Sequence, residues 1–389
     1  MSRARLTRRT FLSLAGATLG ARLVRAQAPS ALINVANAER SRIFAQAPAA
    51  LDEPVRPLTA LSAPRGNAHE FVSEIPPERS IIDPHTSVPV FRAHATALRT
   101  CSTTIACLSA AYLLTHDPKF AQRAALHLRA WFIAPATRMN PNANLAGCAH
   151  GSDTGTPAGI VDLAPLAELI RSTSFLVDSN ALTPAEFTTL NSWFSDFATW
   201  LDSNRNARIA RDTKDHRASA WLLIRSAVAR ALRDDAGLED CRRRFRHPTL
   251  RNQISETGVF PQEVATANPY RNTLFNFNLL AGACQLLASP FDPLWDFELE
   301  DGTGMRSVAA YLYPLINDPA KWPFVSDADH FLELPGSCAA LLFAGRAYDR
   351  PEYVELWRKL DSKPIPADLA GSFPIRQPLL WTTRAAHGF

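Results

Sequence analysis

The run Arg211-Asp212-Thr213-Lys214-Asp215-His216-Arg217 places five charged side chains and an imidazole directly ahead of an apolar stretch from Trp221 to Leu232. Imidazole changes charge near neutral pH and is the side chain most often used to move protons. At the mouth of a buried helix, among lysine and arginine, it is placed to serve an acidic ligand. About fifty residues later, Pro261-Gln262-Glu263 and Asn268-Pro269-Tyr270-Arg271-Asn272 form a second polar cluster, again just ahead of a long apolar run. The two clusters are expected to face each other across one cleft, with His216, Asp215, Arg271 and Tyr270 as candidate catalytic groups. Two polar loops add candidate ligand contacts: Arg65, Asn67 and His69 in the first, Asn140, Asn142 and His150 in the second. Lys214, Glu263 and Asn272 complete the set. Each has a structural reading as well. Acidic residues at helix starts offset the helix dipole, Asn-Pro-Asn is common turn chemistry, and Glu263 also suits a tie between a loop and an arginine.

The elements that must position these groups are helices. Apolar residues recur at helical spacing in about 33–47, 91–115, 119–133, 158–178, 184–203, 216–234, 238–252, 271–288, 303–316, 335–348 and 351–361. Thr183 reads as an N-cap with Pro184 at the first helical position. Strand-like alternation is confined to Val259-Phe260 and Phe373-Pro374-Ile375, and prolines 76, 77, 84 and 89 keep 72–90 extended or looped. Helices joined by short polar connections, without a fixed-period repeat, predict an all-α chain of helical hairpins arranged as a ring or solenoid. No linker divides residues 29–389, so one domain is expected.

The chain has 389 residues, 47% of them hydrophobic, enough for a sizeable core, and its net charge of +4 is spread without a lysine-rich tract. That balance favours a weakly acidic ligand over nucleic acid. Residues 1–28 read as a twin-arginine export signal: Thr7-Arg8-Arg9-Thr10-Phe11-Leu12, a weakly apolar stretch, then Ala26-Gln27-Ala28. A periplasmic or secreted protein is expected, with no stable membrane insertion and as a monomer. Six cysteines without metal-ligand spacing read as small core residues. Trp322-Pro323, in a loop, is a candidate surface for stacking on a sugar ring.

From about Ala63 to Leu360 the sequence resembles the alginate-lyase domain family of uronate polysaccharide lyases. The resemblance rests on Ala63-Pro64-Arg65-Gly66-Asn67-Ala68-His69-Glu70-Phe71, on Leu128-Arg129-Ala130-Trp131-Phe132 with Pro135 to Asn142, and on Gly159-Ile160-Val161-Asp162. Trp193-Phe194, Asp215-His216 and the stretch from Phe260-Pro261-Gln262-Glu263 to Asn276 complete it. The resemblance implies an incomplete (α/α) toroid with a tunnel-like cleft, β-elimination on a 4-linked uronate polymer such as alginate or glucuronan, an acidic polysaccharide partner, and no metal or other cofactor.

That reaction sets its own requirements. Removing the C5 proton builds charge on a group that already carries a carboxylate. A cation or hydrogen-bond donor must hold the carboxylate, a base must take the proton, and an acid must protonate the leaving O4. The resemblance implies His216 as base or relay. At other positions the chain departs from the family: Asp215 stands where an asparagine is usual, Thr266 where an arginine is, and Asn272 where the tyrosine falls. Arg271 is then the candidate neutraliser. Tyr270 is the candidate acid, although it lies about 200° round the helix from Asn272. Two other readings stay open: an altered member that binds an acidic glycan, and a glycoside hydrolase using Asp215 and Glu263 as opposed carboxylates.

Overall fold

The computed structural model describes residues 33–75, 90–327, 331, 334, 338–361, 371 and 373–385. The export signal read in residues 1–28 lies outside them. Among the described residues the helices are α1 (Val35–Asp52), α2 (Ala93–Thr115), α3 (Pro118–Leu128), α4 (Leu166–Thr173), α5 (Pro184–Ser203), α6 (Arg205–Arg211), α7 (His216–Leu232) and α8 (Asp235–Arg244). They continue with α9 (Arg251–Gln253), α10 (Pro261–Val264), α11 (Pro269–Leu287), α12 (Met305–Asn317), α13 (Ala339–Ala347), α14 (Pro351–Asp361) and α15 (Pro378–Thr382). Together they form the (α/α) toroid that the sequence leads one to expect.

Local chemistry sets the helix ends. Asp117, Thr183, Asp215 and Asp234 each cap the helix that follows by accepting a backbone N–H. His116 and Arg233 end α2 and α7 in the left-handed conformation. α7 is buried from Ala218 to Ala229 and α11 is buried almost throughout, so both are inner helices enclosed on all sides. They pack on each other, and α7 also meets α4, α5, α6 and α8. α2 is long and apolar enough to cross a membrane by length and composition, yet here it packs between α1, α3 and α4 as a core helix. All six cysteines are unbridged and buried.

The structure corrects the strand assignment. β1 (Val72–Ile75) and β2 (Leu145–Ala149) form a parallel pair, with Val72 opposite Leu145 and Ile75 opposite Ala149. The first had read as extended or looped and the second as part of a polar loop. Strands of four and five residues show too little alternation to register, and their pairing spans about seventy residues, out of reach of any local pattern. Val259-Phe260 instead leads directly into α10.

At the start of α5, Thr183 and Glu186 form a reciprocal capping box, and Glu186 also takes Arg129 Nη2 at 3.0 Å. Arg129, ahead of the backbone N–H of Thr183, holds the Glu186 carboxyl down to about 2, from an ordinary value of 4.5. A depressed carboxyl stabilises the fold above its unfolded value and stops doing so as pH falls through its folded value. The Tm gap between the native chain and Glu186→Gln is therefore expected to be full above pH 4.5 and to close as pH falls toward 2. A gap that persists unchanged at the acid end would contradict this.

Candidate functional site

α7 and α11 converge where their N-terminal ends meet α10. Asp215 caps α7 through the backbone N–H of Arg217 at 3.0 Å, and Arg217 Nε lies 3.0 Å from both Asp215 oxygens. Burial works to raise the Asp215 carboxyl, but the Arg217 guanidinium and N–H outweigh it and hold it below the ordinary value. The negative charge of Asp215 is thus matched within α7.

Next to it, Glu263 of α10 is 1% exposed and grips His216 twice. Its Oε1 accepts the His216 backbone N–H at 2.7 Å and its Oε2 meets the ring Nδ1 at 2.8 Å. An ionised carboxylate can only accept, so Nδ1 carries the proton and Nε2 keeps its lone pair. The His216 side chain retains 20% exposure, and Phe275 of α11 packs edge-on against the ring at 5.7 Å. An oriented imidazole backed by a buried carboxylate is a general base.

Arg271 and Asn272 stand one helical turn before Phe275 and Asn276 and so share their faces of α11. The backbone N–H groups of Tyr270 and Arg271 donate to Asp327 at 2.9 and 2.8 Å, which fixes this end of the helix. Arg271 forms no ion pair among the described residues, and its buried Nε has no partner. Asn272 Nδ2 donates to Thr266 Oγ1 at 3.0 Å. Lys214 is exposed beside the cluster.

Tyr270 does not reach the His216 cluster. It is fully buried, its hydroxyl donates to Leu315 O at 3.1 Å, and burial pushes its ionisation up. Its ring packs against Trp322, which is itself buried with Nε1 on Val325 O. The expectations of Tyr270 as acid and of Trp322 as a sugar platform are both corrected: these rings hold α11 to its neighbours. Glu263 ties to a histidine, not to an arginine. As a carboxylate pair for hydrolysis, Glu263 and Asp215 do not serve, because Glu263 lies buried behind His216 and Asp215 is committed to Arg217.

The loop candidates form a second group. Arg65 Nη2 binds Glu74 of β1 at 2.7 Å and its Nε lies 3.5 Å from Asp153, while its Nη1 is buried without a hydrogen-bond partner. His150 Nδ1 lies 3.5 Å from the same carboxylate and is half exposed. Asn67 accepts the His69 N–H at 2.9 Å, and His69 Nδ1 meets Arg138 O at 2.7 Å. Asn140 N–H donates to His69 O, and Asn142 shapes the turn by accepting from the Asn144 N–H. The Pro157–Leu163 turn packs on both strands and on α6 and α7. Asn206 of α6 adds a bond from Nδ2 to Gly155 O at 2.7 Å.

Sequence reading missed Gln253, Ser219 and Asn276, which lie buried behind Glu263. A signal was present: an asparagine inside Leu274-Phe275-Asn276-Phe277 must find a partner in the core. Among the described residues no cluster of three or more His, Cys, Asp or Glu side chains is arranged to hold a metal ion.

The fold has close counterparts. A solved structure described as an alginate lyase from Bacteroides ovatus superposes with a TM-score of 0.75 at 20% identity, covering 91% of this chain and 94% of that one. An alginate lyase from Sphingomonas species A1 superposes with a TM-score of 0.53 at 15% identity, covering 81% of this chain and 86% of that one. At these identities the likeness shows the shared toroid. No curated protein matches the chain in sequence. The family model described as alginate lyase matches residues 60–322, more than half of the chain. The chain therefore belongs to the alginate lyase family, polysaccharide lyases that cleave by β-elimination.

Proposed function

We propose that this lyase acts on a 4-linked uronate polymer whose C5–H and C4–O bonds lie on the same face of the sugar, as in β-D-mannuronate and D-glucuronate. The observation that carries the reading is the grip of Glu263 on His216, which leaves Nε2 as the free base. Arg271, without an ion pair among the described residues, is the neutraliser of the substrate carboxylate, and Lys214 lies at hand for a neighbouring uronate. Arg65 and His150 border the loop side of the cleft.

None of the six tyrosine hydroxyls hydrogen-bonds into the His216 cluster, and Tyr270 is sealed away. The reading therefore assigns both proton transfers to one group. His216 takes the C5 proton on Nε2 and, as an imidazolium stabilised by Glu263, returns it to O4 as the C4–O bond breaks. The electron pair of the C5–H bond becomes the C4–C5 double bond. A single imidazole reaches both atoms only if they share a face, which excludes L-guluronate, whose C5 is inverted.

Residues 1–28 are read as a twin-arginine signal that delivers the remaining chain, as one domain and a monomer, to the periplasm or beyond. The test offers the mature protein polymannuronate, glucuronan and polyguluronate, and follows the ultraviolet absorbance of the unsaturated uronate, with His216→Ala in parallel. A rise on the first or second polymer, absent with the third and absent in the variant, is expected. Equal rates on polyguluronate would remove the single-histidine mechanism. A flat trace on every polymer, with binding retained, would leave an altered glycan-binding protein.

A further inference from the structure

Behind the His216–Glu263 pair lies a sealed network of neutral polar groups. Glu263 Oε1 accepts from Asn276 Nδ2 at 3.0 Å in addition to the His216 N–H. The same Asn276 amide donates to Gln253 Oε1 at 2.9 Å, and Ser219 Oγ donates to that oxygen at 3.0 Å. Asn276 and Ser219 are 0% exposed and Gln253 is 1% exposed. Two atoms in this sealed space have no partner: Gln253 Nε2 and Asn276 Oδ1. Buried polar atoms left open are destabilising, and each asks for an explanation.

The two open atoms belong to amides whose oxygen and nitrogen ends are nearly the same in shape. Turning both amides over produces a second arrangement. Gln253 Nε2 then donates to Asn276 Oδ1 and to Ser219 Oγ, and Asn276 Oδ1 faces Glu263 Oε1. Two oxygens at hydrogen-bond distance need a proton between them, and a protonated Glu263 supplies it. Apart from the bonds to His216, the observed arrangement has three hydrogen bonds among these four side chains, and turning both amides over also gives three, with the Ser219 hydroxyl now accepting. One fits the carboxylate and the other fits the acid.

We infer that Asn276 and Gln253 are positioning residues that follow the proton on Glu263. Their amides hold one arrangement while Glu263 is ionised and turn over together when it is protonated, so that His216 is backed by a negative charge only in the first. Without that charge the imidazolium formed on taking the C5 proton loses its partner, and turnover stops. Among the described residues, Arg217 acts on Glu263 and Asp215 on His216, with Lys214 also at the head of α7 and Arg271 at the head of α11. Of these, Asp215 and Arg217 satisfy each other. The inference rests on the lyase reading for its kinetic arm only.

The test has one arm without substrate. In the native protein, with Asn and Gln side-chain amides labelled with nitrogen-15, the Asn276 and Gln253 signals are followed against pH. Both are expected to move with a single shared midpoint, matching the acidic limb of kcat. Amide signals that stay fixed while that limb titrates would overturn the inference. In the second arm, Asn276→Asp offers Glu263 an acceptor in place of a donor. Its acidic limb is expected to move up by about one pH unit or more, with kcat at neutral pH down about 10–100-fold and KM little changed. An unshifted limb in the folded variant would also overturn it. If the variant does not fold, the native titration decides alone. Failure of turnover on every polymer would count against the lyase reading and leave the amide titration standing.

Discussion

Glu263→Gln is expected to lower kcat by about 10³–10⁴-fold, the scale on which a carboxylate-to-amide change disables a histidine base. Glu263 accepts two donors from one residue, the His216 backbone N–H and the ring Nδ1–H. An amide has a single accepting oxygen. With that oxygen on the backbone N–H, the amide nitrogen faces Nδ1 and can only donate to it, so the ring proton moves to Nε2. The imidazole is still in place, and substrate contacts that set KM are untouched, but the nitrogen facing the sugar no longer has a lone pair to take the C5 proton. Initial rates from the ultraviolet assay give kcat, and nitrogen-15 spectra of His216 give the tautomer. Activity within tenfold of the native protein, or an unchanged tautomer, would remove Glu263 from its assigned role.

A second large effect concerns stability. Glu168 of α4 is 1% exposed and takes the backbone N–H groups of Arg376 and Gln377 at 2.9 and 2.8 Å, and Trp381 Nε1 at 3.1 Å. Burial raises its carboxyl, and the Gln377 N–H and the Trp381 and Arg376 donors pull it back only in part. Glu168→Ala leaves these donors without an acceptor in a sealed site and opens a small void. The loss is expected to be about 3–5 kcal/mol, read as a fall in the urea midpoint with an unchanged slope. Glu168→Gln, which keeps one accepting oxygen, is expected to lose less. Equal midpoints for the native chain and Glu168→Ala would show that the 373–385 segment adds little to the fold.

The helices were legible because their signals are local: the Thr183 cap with Pro184, and apolar residues at turn-by-turn spacing. The two polar clusters were expected to face each other across a cleft, whereas Glu263 lies directly behind His216 and hydrogen-bonds to it. The paired strands were not legible, for want of length. Tyr270 is a different case. Tyr270, Leu274, Phe277 and Ala281 form one stripe at helical spacing, and all four are buried. The phase of α11 therefore placed Tyr270 in the core, and attention to its polar neighbours hid that. Asn276 shows the converse, a polar residue on an apolar helix whose partner on α10 could not be read from its own neighbourhood.

The two ends of the described fold are laced together. From α1, Arg42 Nη1 donates to Arg376 O at 3.1 Å and Arg42 Nη2 to Gln377 Oε1 at 3.2 Å, while Gln377 Nε2 donates back to Gln46 of α1 at 3.0 Å. The Arg42–Arg376 bond spans 334 positions. Closing so long a loop is slow, because its entropy is lost before the contact is gained. The contacts that Arg42 and Glu168 make with Arg376 and Gln377 are thus among the longest-range closures of the toroid. Because α1 and α15 pack on each other at this closure, joining the two segments by a short peptide and opening the chain at a surface turn is expected to give a permuted protein of the same shape.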